Sequence, residues 1–274
     1  MNTAGPPSEK GRSSDGETPT SVPRQRTPHS SPLGVLDEGY AVARREDPVH
    51  RFRLQVRARV VAQAARGHFN SFAGLRVLDL GAAEGRTLLE LARLLPGARF
   101  TGVEFSRDLL AAAPPLPAQV ELIEGDITRL DLPDGRFDLV CALALLEHLD
   151  DPAAAVREAW RVLREGGLFV ATAPDPFWDH LAERFGLLAG GQHAVEMDRG
   201  RLVSTVEKAG FTAVRYRRFM FAPVAFLPYL HLPVSPDLSL RIDRLLDAMR
   251  IFAPLFVNQA VIGVKGTGQP DVSG

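Results

Sequence analysis

The sequence has little of what marks a secreted, metal-clustered or nucleic-acid-binding protein. It contains a single cysteine, Cys141, in 274 residues. An intramolecular disulfide and a cysteine-based metal cluster are therefore excluded, and a reducing compartment such as the cytoplasm is expected. The 32 basic and 33 acidic side chains leave a net charge of −1. Because a general nucleic-acid binder normally carries a basic excess, that class is disfavoured.

Long apolar runs are missing as well. The first thirty or so residues are polar and proline-rich, so no secretory signal is expected. The longest uncharged stretch, residues 219–236, contains several prolines. A membrane span needs about 20 mostly apolar residues and rarely tolerates repeated proline, so no span is expected there. The overall composition, 45% apolar and 24% charged, is that of an ordinary globular protein.

Composition divides the chain into unequal parts. Residues 1–33 hold almost no large apolar side chains, so we expect a disordered tail there. Residues 34–70 are expected to form N-terminal helices that act as a lid, and residues 71–266 one α/β domain. Insertions are expected at 175–198 and 220–250, and a second disordered tail at 267–274.

The segment Pro48–Arg66 has the pattern of an amphipathic helix. Phe52, Val56 and Val60 recur at every fourth position, which places them on one buried stripe. Its arginines crowd the other faces. They could meet an anionic substrate or a membrane surface, but a solvated face is the better expectation.

From residue 75 onward, short apolar runs alternate with helical segments. Strands are predicted at residues 75–80, 99–103, 119–123, 137–142, 168–173, 211–219 and 257–265, and helices at 86–95, 106–113, 151–163, 199–209 and 238–249. Gly166 and Gly167 are expected to end the third of these helices. The last is expected to turn Ile242, Leu245, Leu246 and Met249 inward. Strands separated by helices predict a doubly wound parallel sheet.

A glycine turn follows the first strand, in the segment VLDLGAAEG. Glycine belongs there because the backbone turns tightly and must let a ligand approach without a Cβ in the way. A dinucleotide fingerprint needs glycine at relative positions 0, 2 and 5. Here Gly81 and Gly85 occupy positions 0 and 4, and Arg86 occupies position 5. The spacing therefore disfavours an NAD- or FAD-dependent reductase.

Three carboxylates lie at the ends of the first three strands: Asp79, Glu104 and Asp126. A carboxylate that ends the second strand can accept both hydroxyls of a ribose, and one after the third can accept the exocyclic amine of adenine. Each alone is more often a cap or turn residue. Together they mark the ligand crevice of a doubly wound sheet.

With these residues the chain resembles the class I S-adenosylmethionine-dependent methyltransferases, in particular the small-molecule group that includes the ubiquinone- and menaquinone-biosynthesis methylases. The resemblance covers about residues 75–219. It rests on VLDLGAAEG, on Glu104 and Asp126, on FDLV at 137–140, on LEHL at 146–149, on the LREGGL turn at 163–168 and on EKAGF at 207–211.

The resemblance implies a Rossmann-like sheet of seven strands in the order 3-2-1-4-5-7-6, with strand 7 antiparallel. It also implies S-adenosyl-L-methionine as cofactor and a small-molecule acceptor as partner. Ala83 stands where the family has a middle glycine, a departure that puts a methyl group beside the cofactor. By position, the cofactor-binding residues would be Asp79, Gly81, Ala82, Ala83, Gly85, Glu104, Phe105, Asp126, Ile127 and Leu143.

The implied roles follow the three parts of the cofactor. Asp79 and the backbone of residues 81–85 would hold the methionine end, with Leu143 contributing its backbone. Glu104 would bind the ribose hydroxyls, and Asp126 with the Ile127 amide would bind the adenine.

No residue stands out as a catalytic base. His148 and His193 are weak candidates, and a structural role is the better expectation for His148. No metal site is expected, because no ligands share an obvious spacing. The apolar segment at 219–236 lines an apolar acceptor site, contacts a membrane surface or adds to the core. A methyltransferase-like scaffold without activity is the alternative function.

Overall fold

The sheet has the expected architecture. The computed structural model describes residues 45–184 and 194–266. Seven strands form one sheet in the order β3-β2-β1-β4-β5-β7-β6. They are β1 (Arg76–Leu80), β2 (Arg99–Glu104), β3 (Val120–Glu124), β4 (Phe137–Leu143), β5 (Leu163–Pro174), β6 (Phe211–Phe221) and β7 (Phe256–Lys265). β1 to β5 run parallel, and β7 is antiparallel to both β5 and β6. The predicted doubly wound sheet is confirmed.

Helices cover both faces of this sheet. They are α1 (Pro48–Arg66), α2 (Arg86–Leu94), α3 (Arg107–Ala111), α4 (Pro152–Val162), α5 (Pro176–Arg184), α6 (Arg199–Lys208), α7 (Ala222–Ala225) and α8 (Pro236–Asp247). Short 3₁₀ segments lie at Leu146–His148, Leu227–Leu230 and Arg250–Leu255. Within the described ranges, no helix is long and apolar enough to cross a membrane.

Helix α1 is part of the core. Asp47 caps it by accepting the Val49 amide at 2.8 Å, and the predicted stripe of Phe52, Val56 and Val60 is buried. The expected lid lies partly in residues 34–44, outside the described residues. So do the two expected tails and residues 185–193 of the first insertion.

The expected solvated arginine face on α1 is found only in part: Arg51 and Arg66 are exposed, but two other arginines are engaged by neighbouring elements. Arg57 donates to the buried Asn258 side chain at 3.1 Å. Arg59 donates to Glu90 at 2.7 Å and to Asp237 at 3.2 Å. The reason is position: α1 packs between α2 and α8, so its polar side reaches both neighbours.

The start of β5 also differs from the prediction. Helix α4 ends at Val162 and the chain enters the strand at once, so Gly166 and Gly167 lie inside β5. The register of the pairing between β4 and β5 shifts at this point, as it does at a β-bulge. Gly166 has a φ of 69°, a conformation that favours glycine.

The inward face of helix α8 differs in part from the one predicted: Ile242 and Leu246 are half-buried, but the centre of the face is polar. Ser239, Leu240 and Asp243 are buried, whereas Leu245 is 66% and Met249 44% exposed. Asp243 faces inward because its carboxylate accepts the backbone amides of Met220 and Phe221, at 2.8 and 2.9 Å. Hydrophobic periodicity does not detect a stripe with a polar centre.

Candidate active site

The glycine turn lies at the carboxyl ends of the parallel strands. Gly81 and Gly85 have φ values of 67° and 80°, in the left-handed region that favours glycine. The Gly81 and Ala82 amides donate to the Val103 carbonyl oxygen at 2.9 and 3.0 Å. A Cβ added at Gly81 would lie 2.6 Å from Leu145 Cδ1. The turn is therefore held against β2 and closely approached by the loop after β4.

Glu104 is the centre of this turn region. Its carboxylate is only 4% exposed. Oε2 accepts the Ala83 amide at 2.9 Å, and Oε1 accepts the amides of Phe105 and Ser106, each at 2.8 Å. A buried carboxylate that accepts several backbone amides is fixed in position and well compensated. A ribose hydroxyl would have to share Oε2 with Ala83 or displace that amide.

Ala83 has a φ of 49°, the left-handed conformation that the family's glycine would adopt freely. An alanine there costs about 1–2 kcal/mol. The 2.9 Å hydrogen bond from its amide to Glu104 accompanies this strain. Ala83 therefore adopts the backbone conformation that the motif requires, although that conformation is unfavourable for alanine.

Gly102 supports the turn from below, and sequence reasoning missed it. A Cβ added there would lie 2.5 Å from Ala82 Cβ, 2.6 Å from Leu122 Cδ2 and 2.7 Å from Leu88 Cδ1. Its φ is not positive, so the close packing alone requires glycine. A glycine inside a predicted strand was the available signal, because such a glycine often marks a close approach of another segment.

Asp79 lies inside the sheet, on the strand that leads into the turn. It is 2% exposed and opposite Cys141 of β4. Cys141 Sγ donates to Asp79 Oδ1 at 3.3 Å. Burial, together with the Asp79 charge, holds the pKa of the Cys141 thiol well above its ordinary value. The single cysteine is therefore an inert thiol partner of Asp79.

The remaining predicted cofactor residues lie at the same edge. The Gly125 amide donates to the Glu104 carbonyl oxygen at 3.0 Å, which joins the ends of β2 and β3 just before Asp126. Asp126 is exposed, and its Oδ1 accepts the amide and hydroxyl of Thr128 at 2.8 and 2.6 Å. Ile127 is buried, Phe105 is 43% exposed, and the half-buried Leu143 ends β4.

Other polar groups near this edge have different roles. Glu84, a buried carboxylate inside the turn that the sequence analysis did not single out, lies 3.5 Å from Arg86 Nε. His148 is half-buried at the end of its 3₁₀ segment. His180 pairs with Glu196 at 2.9 Å on the surface. His193 lies outside the described residues. Among those that are described, no cluster of potential metal ligands occurs.

The other half of the same edge is aromatic. Because β7 is antiparallel to β5 and β6, its first residue lies level with the last residues of both. α5, α7 and the two later 3₁₀ segments therefore gather there. Their rings form a chain with centroid separations of 5.7 Å for Phe177–Trp178 and Trp178–Phe226, and 5.6 Å for Phe226–Tyr229. Trp178 Nε1 donates to the Pro254 carbonyl oxygen at 3.1 Å.

A cavity of about 340 Å³ opens between the first turns of α1 and the segment after Tyr229. Its walls are mostly apolar, with Arg51, Gln55 and His231 as the polar groups; the lining residues are Pro48, Arg51, Phe52, Gln55, Pro228, His231, Leu232, Pro233 and Val234. His231 escaped sequence reasoning because only the fold brings it to α1.

The comparisons with known proteins agree with this geometry. The family described as "Methyltransferase domain" matches residues 78–171, from β1 to β5. The chain is 37% identical over 94 residues to a demethylmenaquinone methyltransferase of Roseiflexus castenholzii, covering 34% of this chain and 40% of that one. Residues 78–171 form a domain of the class I S-adenosylmethionine-dependent methyltransferase superfamily.

A second relative and a solved structure agree. A ubiquinone biosynthesis O-methyltransferase of Alkalilimnicola ehrlichii is 38% identical over 99 residues, 34% of this chain and 39% of that one. A methyltransferase structure from Thermotoga maritima shares the fold, with a TM-score of 0.58, 20% identity, and coverage of 83% and 94% of the two chains. The chain spans between about a third and a half of the length of the curated relatives it matches first.

The cofactor of this superfamily is S-adenosylmethionine, and the residues at the glycine turn of this chain fit it. Asp79 and Glu104 are buried carboxylates, and the exposed Asp126 adds a third carboxylate at the same edge. A group of negatively charged carboxylates suits a cationic sulfonium better than a diphosphate.

Proposed function

We propose that this methyltransferase transfers the methyl group of S-adenosylmethionine to an apolar small-molecule acceptor at the carboxyl edge of the sheet. The observation that carries the proposal is the buried Glu104 carboxylate, which joins the glycine turn to the loop after β2 through three backbone amides. In this proposal the fixed Glu104 carboxylate accepts the ribose hydroxyls beside the glycine turn.

The proposed cofactor contacts run along the ends of β1 to β4. Asp79 and the backbone of residues 81–85, including Ala82 and Ala83, hold the methionine end with the backbone of Leu143. Glu104 binds the ribose, and Phe105 lies beside it. Asp126 and the Ile127 amide bind the adenine. S-adenosylmethionine supplies an electrophilic methyl group on a good leaving group, so this chain has to align the acceptor and exclude water.

The cavity beside α1 is the proposed acceptor site. α1 and α2 run side by side in the same direction, because Arg59 contacts Glu90 and Arg66 contacts the Leu94 carbonyl oxygen. Two turns before Arg59, Phe52 is therefore about level with the start of α2, where the glycine turn ends. In this proposal the cavity lined by Phe52 receives the acceptor on the side of the edge where the methionine end is held.

The walls of the cavity indicate an apolar acceptor with few polar groups. Two of the relatives are named as a demethylmenaquinone methyltransferase and a ubiquinone biosynthesis O-methyltransferase, and an acceptor related to such quinones would have this character. His231 contributes an imidazole to the cavity lining, and an imidazole is the commonest general base in enzymes. Contact of the same surface with a membrane stays a prediction. None of the comparisons supports the catalytically silent alternative.

The test of the acceptor class is transfer of labelled methyl from S-adenosylmethionine to a short-chain prenylated hydroquinone. Leu232→Glu places a charge on the cavity wall, so the KM for the hydroquinone should rise at least about tenfold. Leu245→Glu changes an exposed leucine of α8 that does not line this cavity. It should leave the KM within about twofold.

The opposite results would separate the two parts of the proposal. Equal KM values for both variants would remove the acceptor from this cavity. Binding of S-adenosylmethionine without transfer to the hydroquinone would reject the acceptor class and leave the cofactor site standing.

A further inference from the structure

A second cavity lies away from the carboxyl edge, between α1 and the edge strand β6. Its volume is about 290 Å³, and its lining includes Gln63, Gly67, Arg215, Arg217 and Ile262. Arg217 is opposite Ala260, four residues along the strand from the last pair, Phe221 with Phe256. At about 3.3 Å per residue, that places it roughly 13 Å from the edge where the methyl transfer is proposed.

The cavity carries positive charge. Arg217 is half-buried, and its guanidinium donates to Gln63 Oε1 at 3.1 Å. Arg215 lies on the same face of β6, two residues earlier. No acidic side chain lines the cavity in the described part of the chain. A guanidinium has five donors in a planar fork, so one amide contact leaves most of this capacity for another acceptor.

The carboxylates whose charges act on Arg217 do not supply that acceptor. Asp243 and Asp247 of α8 act on Arg217 at longer range than a contact ion pair, and Arg244 of the same helix opposes them. Asp243 already accepts the amides of Met220 and Phe221. Burial outweighs these charges and lowers the pKa of the Arg217 guanidinium from its ordinary value.

We propose that this cavity binds a small phosphate-bearing anion between Arg217, Arg215 and Gln63. The two guanidiniums supply charge and paired N–H donors for phosphate oxygens. The Gln63 amide can turn over to donate its Nε2 hydrogen. The site is separate from the methyl-transfer site and independent of it.

The strand offers a matched control. Arg218 is the next residue on β6, so its side chain points to the opposite face. There its guanidinium lies 5.4 Å from the Tyr216 ring centroid. Arg217→Gln and Arg218→Gln remove the same charge from the same strand, one inside the cavity and one outside it.

The experiment is calorimetric titration of the full chain with inorganic phosphate, and with glycerol 3-phosphate as an organic phosphomonoester, at constant ionic strength. The wild-type protein should bind both probes. Arg217→Gln should weaken binding by about ten- to a hundredfold, the usual effect of losing a charged hydrogen-bonding partner. Arg218→Gln should stay within about twofold.

Gln63→Glu gives a second test that does not depend on removing Arg217. The new carboxylate would pair with Arg217 in the place of the anion, so the protein should fold and phosphate binding should disappear. S-adenosylmethionine binding should be unchanged in all three variants, which excludes misfolding. No phosphate binding by the wild-type protein, or equal weakening by Arg217→Gln and Arg218→Gln, would overturn the proposal.

Discussion

At the ends of β1 to β3 the sheet edge is made of backbone turns and a buried carboxylate, whereas at the ends of β5 and β6 and the start of β7 it carries prolines and exposed rings. We call residues 81–85 and 102–106 the turn half, and residues 175–184 and 222–255 the cap half. In the turn half, positions are set by close backbone approach and by amides on Glu104. In the cap half, Leu230 and Ile251 are 69% and 80% exposed.

The contrast has a physical consequence. Substitutions in the turn half disturb packing or backbone geometry, because nothing there can move without shifting a neighbour. Exposed side chains of the cap half contribute little to stability, so they are free to differ with the acceptor. Stability should therefore depend on the turn half and specificity on the cap half.

Gly102→Ala should show the largest loss of stability. Its Cβ would meet Ala82, Leu122 and Leu88 at 2.5 to 2.7 Å, so we expect a loss of about 3 kcal/mol in the free energy of unfolding. Urea unfolding measures it. Gly67→Ala is the matched control, because its Cβ would meet only carbonyl oxygens at 3.6 Å. A loss below that of Gly67→Ala would mean that β2 and the turn are loosely packed.

Asp138→Asn should have the next largest effect, and it sharpens the comparison because Asp138 belongs to the sequence signature but lies at the amino end of β4. Its carboxylate accepts from Arg164 Nε at 2.6 Å and from the Arg76 amide at 2.8 Å. We expect a loss of about 2 kcal/mol at pH 7.

The effect of Asp138→Asn should depend on pH. Burial raises the pKa of the Asp138 carboxyl, but the hydrogen bonds from Arg164 and Arg76 outweigh burial and hold that pKa below its ordinary value. The stabilisation is therefore complete above about pH 4 and disappears as the pH falls through the folded-state pKa. Urea unfolding of both proteins at pH 7 and in acid should show the difference shrink. A constant difference would exclude this ionisation as the cause.

Ala83→Gly should have the smallest effect and the opposite sign. Glycine removes the left-handed strain at φ 49° but adds entropy to the unfolded chain, so we expect a gain of at most about 1 kcal/mol. Ala82→Gly should destabilise the protein, because Ala82 is buried without a positive φ. Equal losses for both would show that the turn does not require glycine geometry at position 83.

Sequence patterns predicted the sheet and the glycine turn because both depend on local signals. Short apolar runs indicate the strands, and glycines and carboxylates at the strand ends indicate the turn. The patterns failed where a distant segment decides: Asp243 faces inward to bind the amides of Met220 and Phe221, and Arg57 reaches Asn258.

The same limit applies within the candidate site. Gly102 was overlooked because its role depends on Leu88 and Leu122 packing from other elements. The cavity beside α1 needs His231 and Leu232 to meet Phe52, and no spacing in the sequence announces that.

The most direct test of the account compares S-adenosylmethionine binding by two variants, one from each side of the edge. Asp126→Asn keeps the Oδ1 that caps Thr128 but replaces the other oxygen with a donor, which repels the adenine amine. Calorimetry should show a dissociation constant at least about tenfold higher. Tyr229→Ala removes a half-exposed ring of the cap half and should leave it within about twofold. The account would be contradicted if Tyr229→Ala weakened S-adenosylmethionine binding and Asp126→Asn left it unchanged.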